Sequence, residues 1–255
     1  MHMGGREGRD QPCALRRADL VTTSASKSAP AVEAAIFDLD GVIVDTAKYH
    51  YMAWKRLANE LGFDFSPEDN ERLKGVSRMR SLEILLEIAG LRLDEQNKAE
   101  LAERKNRWYI EYISRLSPSE ILPGVPEFIG GLRRLGVKTA LASASKNAPI
   151  ILENLGITRL FDAVVDGNTA SRAKPDPEVF LLAAGRLGVD PCQCIVFEDA
   201  EAGVEAAHRA GMYAVGVGSP EVLRQADHVI PGFAGLDPAV ILELASRRQT
   251  RCRAQ

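Results

Sequence analysis

Short apolar runs punctuate the chain at regular intervals: AVEAAIF (31–37), VKTALA (137–142), FDAVV (161–165), CIVF (194–197) and YAVGV (213–217). Runs this short, flanked by Asp, Gly or Pro, predict buried strands rather than helices. Between most of them the spacing changes to that of amphipathic helices, over 125–135, 147–155, 176–187 and 200–210; Val179, Leu182, Ala183 and Leu187, for example, share one face. Strands alternating with helices predict an α/β fold with a Rossmann-like parallel sheet covered by helices on both faces.

That alternation stops between Thr46 and about Ser117, where three or four helical patterns follow one another without a strand. Trp54, Leu57 and Leu61 form one apolar stripe, Leu82, Leu85, Leu86 and Ala89 a second, and Leu101, Trp108 and Ile113 belong to a third. The expected organisation is an inserted all-helical cap domain at 47–117, an α/β core made of 31–46 and 118–255, and a disordered tail at 1–30, rich in Gly, Arg, Ser and Thr. Ligands of open parallel sheets sit beyond the carboxyl ends of the strands, so an insert leaving the first strand would hang over the site as a lid. The Arg-rich end (Arg247, Arg248, Arg251, Arg253) reads as a fraying, solvated terminus.

A chain of 255 residues with 45% apolar and 26% charged residues can bury one substantial core. Its net charge of -3, with both signs interspersed, creates no field for a polyanion, so no nucleic-acid partner is expected. No apolar run approaches the ~20 residues needed to span a bilayer, and no membrane partner is expected either. Cys13, Cys192, Cys194 and Cys252 suggest neither a disulfide framework nor a zinc site and fit a reducing cytoplasm.

The candidate chemistry lies at the predicted strand ends. Asp38 and Asp40 flank Leu39 just before Gly41, whose missing side chain permits a tight turn and a close approach. Ser143 ends the second run within L-A-S-A-S-K-N, where hydroxyls and free amides suit an anion, although Ser145 or Asn147 could equally cap the next helix. Lys174 stands at the head of a helix as a possible fixed cation. Glu198 and Asp199 follow CIVF directly, and could either bind a ligand or cap the helix starting near Ala200. Together these ends deliver carboxylates that repel one another unless a cation joins them. With no His or Cys among them, Mg2+ suits the set better than zinc.

In this order, D-L-D-G at 38–41, Ser143, Lys174 and the Glu198-Asp199 pair resemble the haloacid dehalogenase superfamily over residues 33 to about 235. More specific stretches, F-D-L-D-G-V-I-V-D-T-A-x-Y-H from Phe37, L-K-G-V-S-R at 73–78, R-K-N at 104–106 and L-A-S-A-S-K-N at 141–147, resemble its sugar-phosphate mutase branch. The resemblance implies that Asp38 attacks phosphorus and that Asp40 serves as acid and base. It also implies Mg2+ held by Asp38, the Asp40 backbone carbonyl and Asp199, with Glu198 close by. The implied substrate- and phosphate-binding set is His50, Trp54, Gly75, Val76, Ser77, Arg78 and Lys105 in the insert. In the core it is Ser143, Ala144, Ser145, Lys146, Asn147 and Lys174. The implied reaction interconverts β-glucose 1-phosphate and glucose 6-phosphate through a bisphosphate, in a monomer. A phosphatase on the same core is the main rival. A phosphonate-cleaving relative would need a Schiff-base lysine, for which Lys48, Lys55 and Lys74 are the candidates, and a binding protein without turnover is disfavoured because every catalytic position is filled.

Overall fold

The computed structural model describes Met1, residues 32–73 and residues 76–252, the last six of these as backbone only. The expected tail beyond Met1 therefore lies outside the described residues, as do Lys74, Gly75 and Arg253. The strands are β1 (Ala34–Phe37), β2 (Lys138–Ala142), β3 (Ala163–Val165), β4 (Cys194–Glu198), β5 (Tyr213–Val217) and β6 (His228–Ile230). They form one parallel sheet in the order β3-β2-β1-β4-β5-β6, which puts β1 at the centre. Each predicted run supplies a strand. β6 has no predicted counterpart, because His-Val-Ile is three residues at a sheet edge and too short for a periodic signal.

Alternation along β1 builds both cores at once. Ala35 and Phe37 face one side and Ala34 and Ile36 the other, as a repeat of two requires. On the first side lie α5 (Val125–Arg134), α6 (Ala148–Asn154) and α9 (Pro238–Cys252), where Phe37 stacks on Phe197 at 4.7 Å beside Phe128 and Phe233. On the second lie α7 (Glu178–Leu187) and α8 (Glu201–Arg209), with Val179, Phe180, Ala183 and Val204 buried against the strands. Over Arg247, Arg248 and Arg251 the backbone of the Arg-rich end is helical rather than frayed. Asp237 accepts the Ala239 amide, Pro238 opens α9, and Ile241 and Ala245, one turn apart, are buried, so the backbone continues helical through Cys252.

Between β1 and α5 run four helices, α1 (Ala47–Glu60), α2 (Pro67–Glu71), α3 (Arg78–Ala89) and α4 (Glu95–Ile113), with no named strand among the described residues. Of the predicted stripes, Trp54, Leu57, Leu82, Leu85, Leu86, Leu101, Trp108 and Ile113 are buried, while Leu61 and Ala89 are half-buried at helix ends. α4 packs against both α1 and α3. Local signals set the helix starts: Ser66 and Asp69 form a capping box, and Ser77 and Asp94 each accept an amide of the first turn. The outgoing and returning connections run side by side, with Val44 bridged to Ile121 and the Leu122 amide donating to the Ile43 carbonyl at 2.9 Å.

Candidate active site

Asp38 follows the last residue of β1, and its amide donates to the Phe197 carbonyl of β4, which fixes the backbone where the central strands end. Its side chain accepts from Lys174 Nζ at 2.5 Å through Oδ1 and from the Asp40 amide at 2.9 Å through Oδ2. Lys174 reaches in from the segment before α7 and also donates to Glu198 Oε1 at 2.8 Å. Only 10% of the lysine side chain is exposed, and its two carboxylate partners, offsetting burial, raise its pKa and keep it charged. Glu198 is 2% exposed and spends Oε2 on the amides of Asp199 and Ala200. Both readings of the acidic pair are thus partly realised, since one oxygen of Glu198 ties the turn before α8 and the other grips Lys174.

Potential ligand atoms of Asp38, Glu198 and Asp199 all lie within 4.8 Å of one another. Burial, opposed by Lys174 and reinforced by Glu198 and Asp40, pushes the Asp38 carboxyl up to about 7. Asp199 sits at the exposed rim, yet crowding by surrounding protein and repulsion from Glu198 and Asp38 push it to about 8. One lysine does not balance three carboxylates. An all-oxygen donor set short of positive charge fits a hard divalent ion. Gly41 makes the arrangement possible, because at φ 76° any Cβ there would overlap the Asp199 carboxylate.

Asp40 points elsewhere. Its Oδ1 accepts the hydroxyl of Thr46, a fully buried residue at the N-cap of α1 that caps no amide of its own helix. Burial, set against the relief that Thr46 provides, raises the Asp40 pKa above the ordinary carboxylate value, the direction that suits a proton donor.

The insert brings a basic group of its own. Lys105 on α4 is 3% exposed and meets His50 Nδ1 at 2.8 Å, with its ammonium 4.5 Å from the centre of the Trp54 ring. Burial and then the Arg78 charge lower the Lys105 pKa well below the ordinary value, and burial followed by Lys105 does the same to His50. Trp54 is 2% exposed and supports Lys105 from beneath. Arg78, at the start of α3, lies 3.5 Å from Glu103. Val76 and Ser77 are exposed, and the Ser77 hydroxyl is occupied as a cap.

On the core side Ser143 is 1% exposed, and its hydroxyl accepts the Ser145 amide at 3.0 Å. Ser145 in turn accepts the Asn147 amide, while Ala144 and Lys146 are exposed. Asn147 stands at the N-cap of α6 but gives that helix no side-chain cap; it donates to Asn106 of α4 at 3.1 Å instead, a buried link between core and insert.

A protein-family model described as haloacid dehalogenase-like hydrolase matches residues 32–211, most of the chain. The chain belongs to the haloacid dehalogenase-like hydrolase family. It is 48% identical over 201 residues to the β-phosphoglucomutase of Bacillus subtilis, covering 78% of this chain and 89% of that one. The crystal structure of a β-phosphoglucomutase from Clostridium difficile matches with a TM-score of 0.81 and 42% identity, over 86% of this chain and 99% of the other. A phosphorylated carbohydrates phosphatase of Thermotoga maritima is 34% identical over 184 residues, 71% of this chain and 82% of that one.

Within this family member, several residues of the site were given no role by the sequence. Glu103 and Tyr109 stand among ordinary helical residues, Thr46 and Asn106 fall within the quoted motifs without an assigned role, and only the folded arrangement shows what the four touch. Gly203 reads as a weak spot in α8 until its surroundings are seen: a Cβ there would overlap the Glu198 side chain. The proposed Schiff-base lysines do not suit that chemistry. The Lys48 side chain is 54% exposed and that of Lys55 38%. Hydrogen bonds to Glu120 and Tyr51 respectively raise their pKa values, and a Schiff base needs the neutral amine. Lys74 lies outside the described residues.

Proposed function

We propose that the chain is a Mg2+-dependent phosphomutase that interconverts β-D-glucose 1-phosphate and D-glucose 6-phosphate through phosphorylated Asp38 and β-glucose 1,6-bisphosphate. The observation that carries this reading is the pairing of two differently equipped sides. One side holds Asp38, Ser143 and Lys174; the other offers Arg78 and the Lys105-His50 pair from the insert, with Lys105 in the field of both Arg78 and Asp40. A group transfer between two positions of one sugar needs a grip on both phosphates, whereas hydrolysis needs only one.

Asp38 attacks phosphorus, forming the Asp38 O–P bond as the sugar O–P bond breaks. Asp40 gives its proton to the departing sugar oxygen and recovers one from the hydroxyl that attacks next. Lys174 and the Ser143 hydroxyl hold the transferring oxygens, and the fork of Arg78, with Ser145, Lys146 and Asn147, holds the other phosphate. Asp38, the Asp40 carbonyl and Asp199, beside Glu198, would hold Mg2+, which would supply positive charge against that building on the phosphoryl group. Residues 47–117 act as the cap that shuts out water. We infer a cytoplasmic monomer working on sugar phosphates, without nucleic-acid or membrane partners; among the described residues no helix is long and apolar enough to cross a membrane.

The deciding assay supplies β-glucose 1-phosphate, Mg2+ and a trace of the bisphosphate to purified protein. Glucose 6-phosphate is the expected product, and rapid release of inorganic phosphate without it would make the enzyme a phosphatase. Arg78→Ala should weaken mutase turnover more than hydrolysis of a small phosphate ester; equal losses would remove Arg78 from the second phosphate site.

A further inference from the structure

Tyr109 on α4 is 1% exposed, and among the described residues its hydroxyl is the buried side-chain group that has no hydrogen-bond partner. An unpaired buried hydroxyl forfeits its hydration with nothing in return, so folded proteins rarely keep one without a use. The ring is firmly held. It stacks on His50 with centroids 4.1 Å apart and planes 26° from parallel, and Lys105 Nζ lies 4.8 Å from its centre. The hydroxyl stands beside that of Thr46 and within the field of Asp40, without a bond of good geometry to either.

Thr46 supplies the missing half of the argument. Its side chain is fully buried, and its hydrogen is committed to Asp40 Oδ1. When Asp40 Oδ1 turns to the sugar oxygen it serves, the Thr46 hydroxyl becomes a buried donor without an acceptor. Resting on the reading of Asp40 as acid and base, we propose that Tyr109 is a positioning residue whose hydroxyl accepts the Thr46 hydrogen bond when Asp40 turns to the substrate. The exchange keeps the number of buried bonds constant. Asp40 is thereby freed to move at little cost, and Tyr109 is unpaired in the resting arrangement because its partner is elsewhere.

The test is a double-mutant cycle of Tyr109→Phe and Thr46→Val, read as kcat and KM for glucose 6-phosphate formation, with Tm measured on each protein. Tyr109→Phe keeps the ring stack and loses no existing bond, so Tm should stay at or above the wild-type value. Its kcat should fall about tenfold, equivalent to about 1.4 kcal/mol, with KM changed less than about twofold. In the Thr46→Val background the same change should cost less than about twofold, because no hydroxyl remains to be accepted. A kcat loss of equal size in both backgrounds would mean that Tyr109 acts on substrate directly and would overturn the proposal. Unchanged kcat in Tyr109→Phe, or a lowered Tm with no coupling, would overturn it as well. If the wild-type protein releases phosphate and forms no glucose 6-phosphate, the mutase reading fails instead, and the cycle is read on phosphate release, in which Asp40 serves the same leaving oxygen.

Discussion

Lys174 and Asp38 lie 136 residues apart in the chain and 2.5 Å apart in the fold, and the same ammonium also meets Glu198 at 2.8 Å. One cation divided between two carboxylates leaves Asp38 only partly compensated, which is why burial prevails and its pKa rises.

Replacing Asp38 by Asn therefore separates chemistry from stability. Turnover should fall by at least about three orders of magnitude, since no nucleophile remains. The Tm should hold or rise, because a crowded carboxylate has been removed from beside Glu198 and Asp199. Activity assays alongside calorimetry check both, and a Tm well below the wild-type value would show that the Lys174 bridge matters more than the repulsion.

Stability should depend on pH and on Mg2+ together. In chelator-treated protein Asp38 and Asp199 keep their protons up to about 7 and about 8, against an ordinary 3.8. Across that interval the folded chain binds more protons than the unfolded one, so stability falls as pH rises from about 4 to about 8. Mg2+ competes with those protons and should raise Tm more at about pH 8 than at about pH 5. Thermal melts at the two pH values decide it; equal shifts would contradict the assignment of these carboxylates to the ion.

Gly203→Ala should harm the site from within a helix. Alanine normally strengthens a helix interior by up to about 1 kcal/mol. Here its methyl would displace the buried Glu198, which binds Lys174 and two amides. The expected result is a loss of at least about tenfold in kcat and weaker Mg2+ affinity, measured by kinetics and titration calorimetry. A more stable and fully active variant would show that Glu198 relaxes freely.

Lys105→Met should trade activity for stability. The lysine is buried with its pKa driven down by desolvation and by Arg78, so it opposes folding, and a thioether of similar length removes that conflict. Tm should rise by about 2–4 °C, the equivalent of ~1 kcal/mol in a chain of this size. Mutase kcat/KM should drop by at least about tenfold, because His50 loses its partner. Differential scanning calorimetry and steady-state kinetics test the pair of outcomes.

What the sequence made legible and what it hid differ for physical reasons. Asp38, Ser143 and Glu198 could be found because each ends or directly follows an apolar run, and a parallel sheet gathers such ends at one edge. Arg78 and Lys105 carry no periodic signal, and only motif resemblance pointed to them. Tyr109 escaped, and Thr46 stood in a quoted motif without a role, because their importance lies in where a hydroxyl points, which depends on the packing of α1 against α4. The edge strand β6 was too short to announce itself. α9 had a readable start in Asp237 and Pro238 and an apolar stripe behind it, but its arginines suggested a fraying end instead.

The outgoing and returning segments that meet at Val44 and Ile121 give the four-helix insert a pinched neck. A module joined at so narrow a waist can drift, lengthen or be replaced in evolution while the strand ends beneath it stay untouched. Selection could then explore new substrates above a reaction centre already in working order.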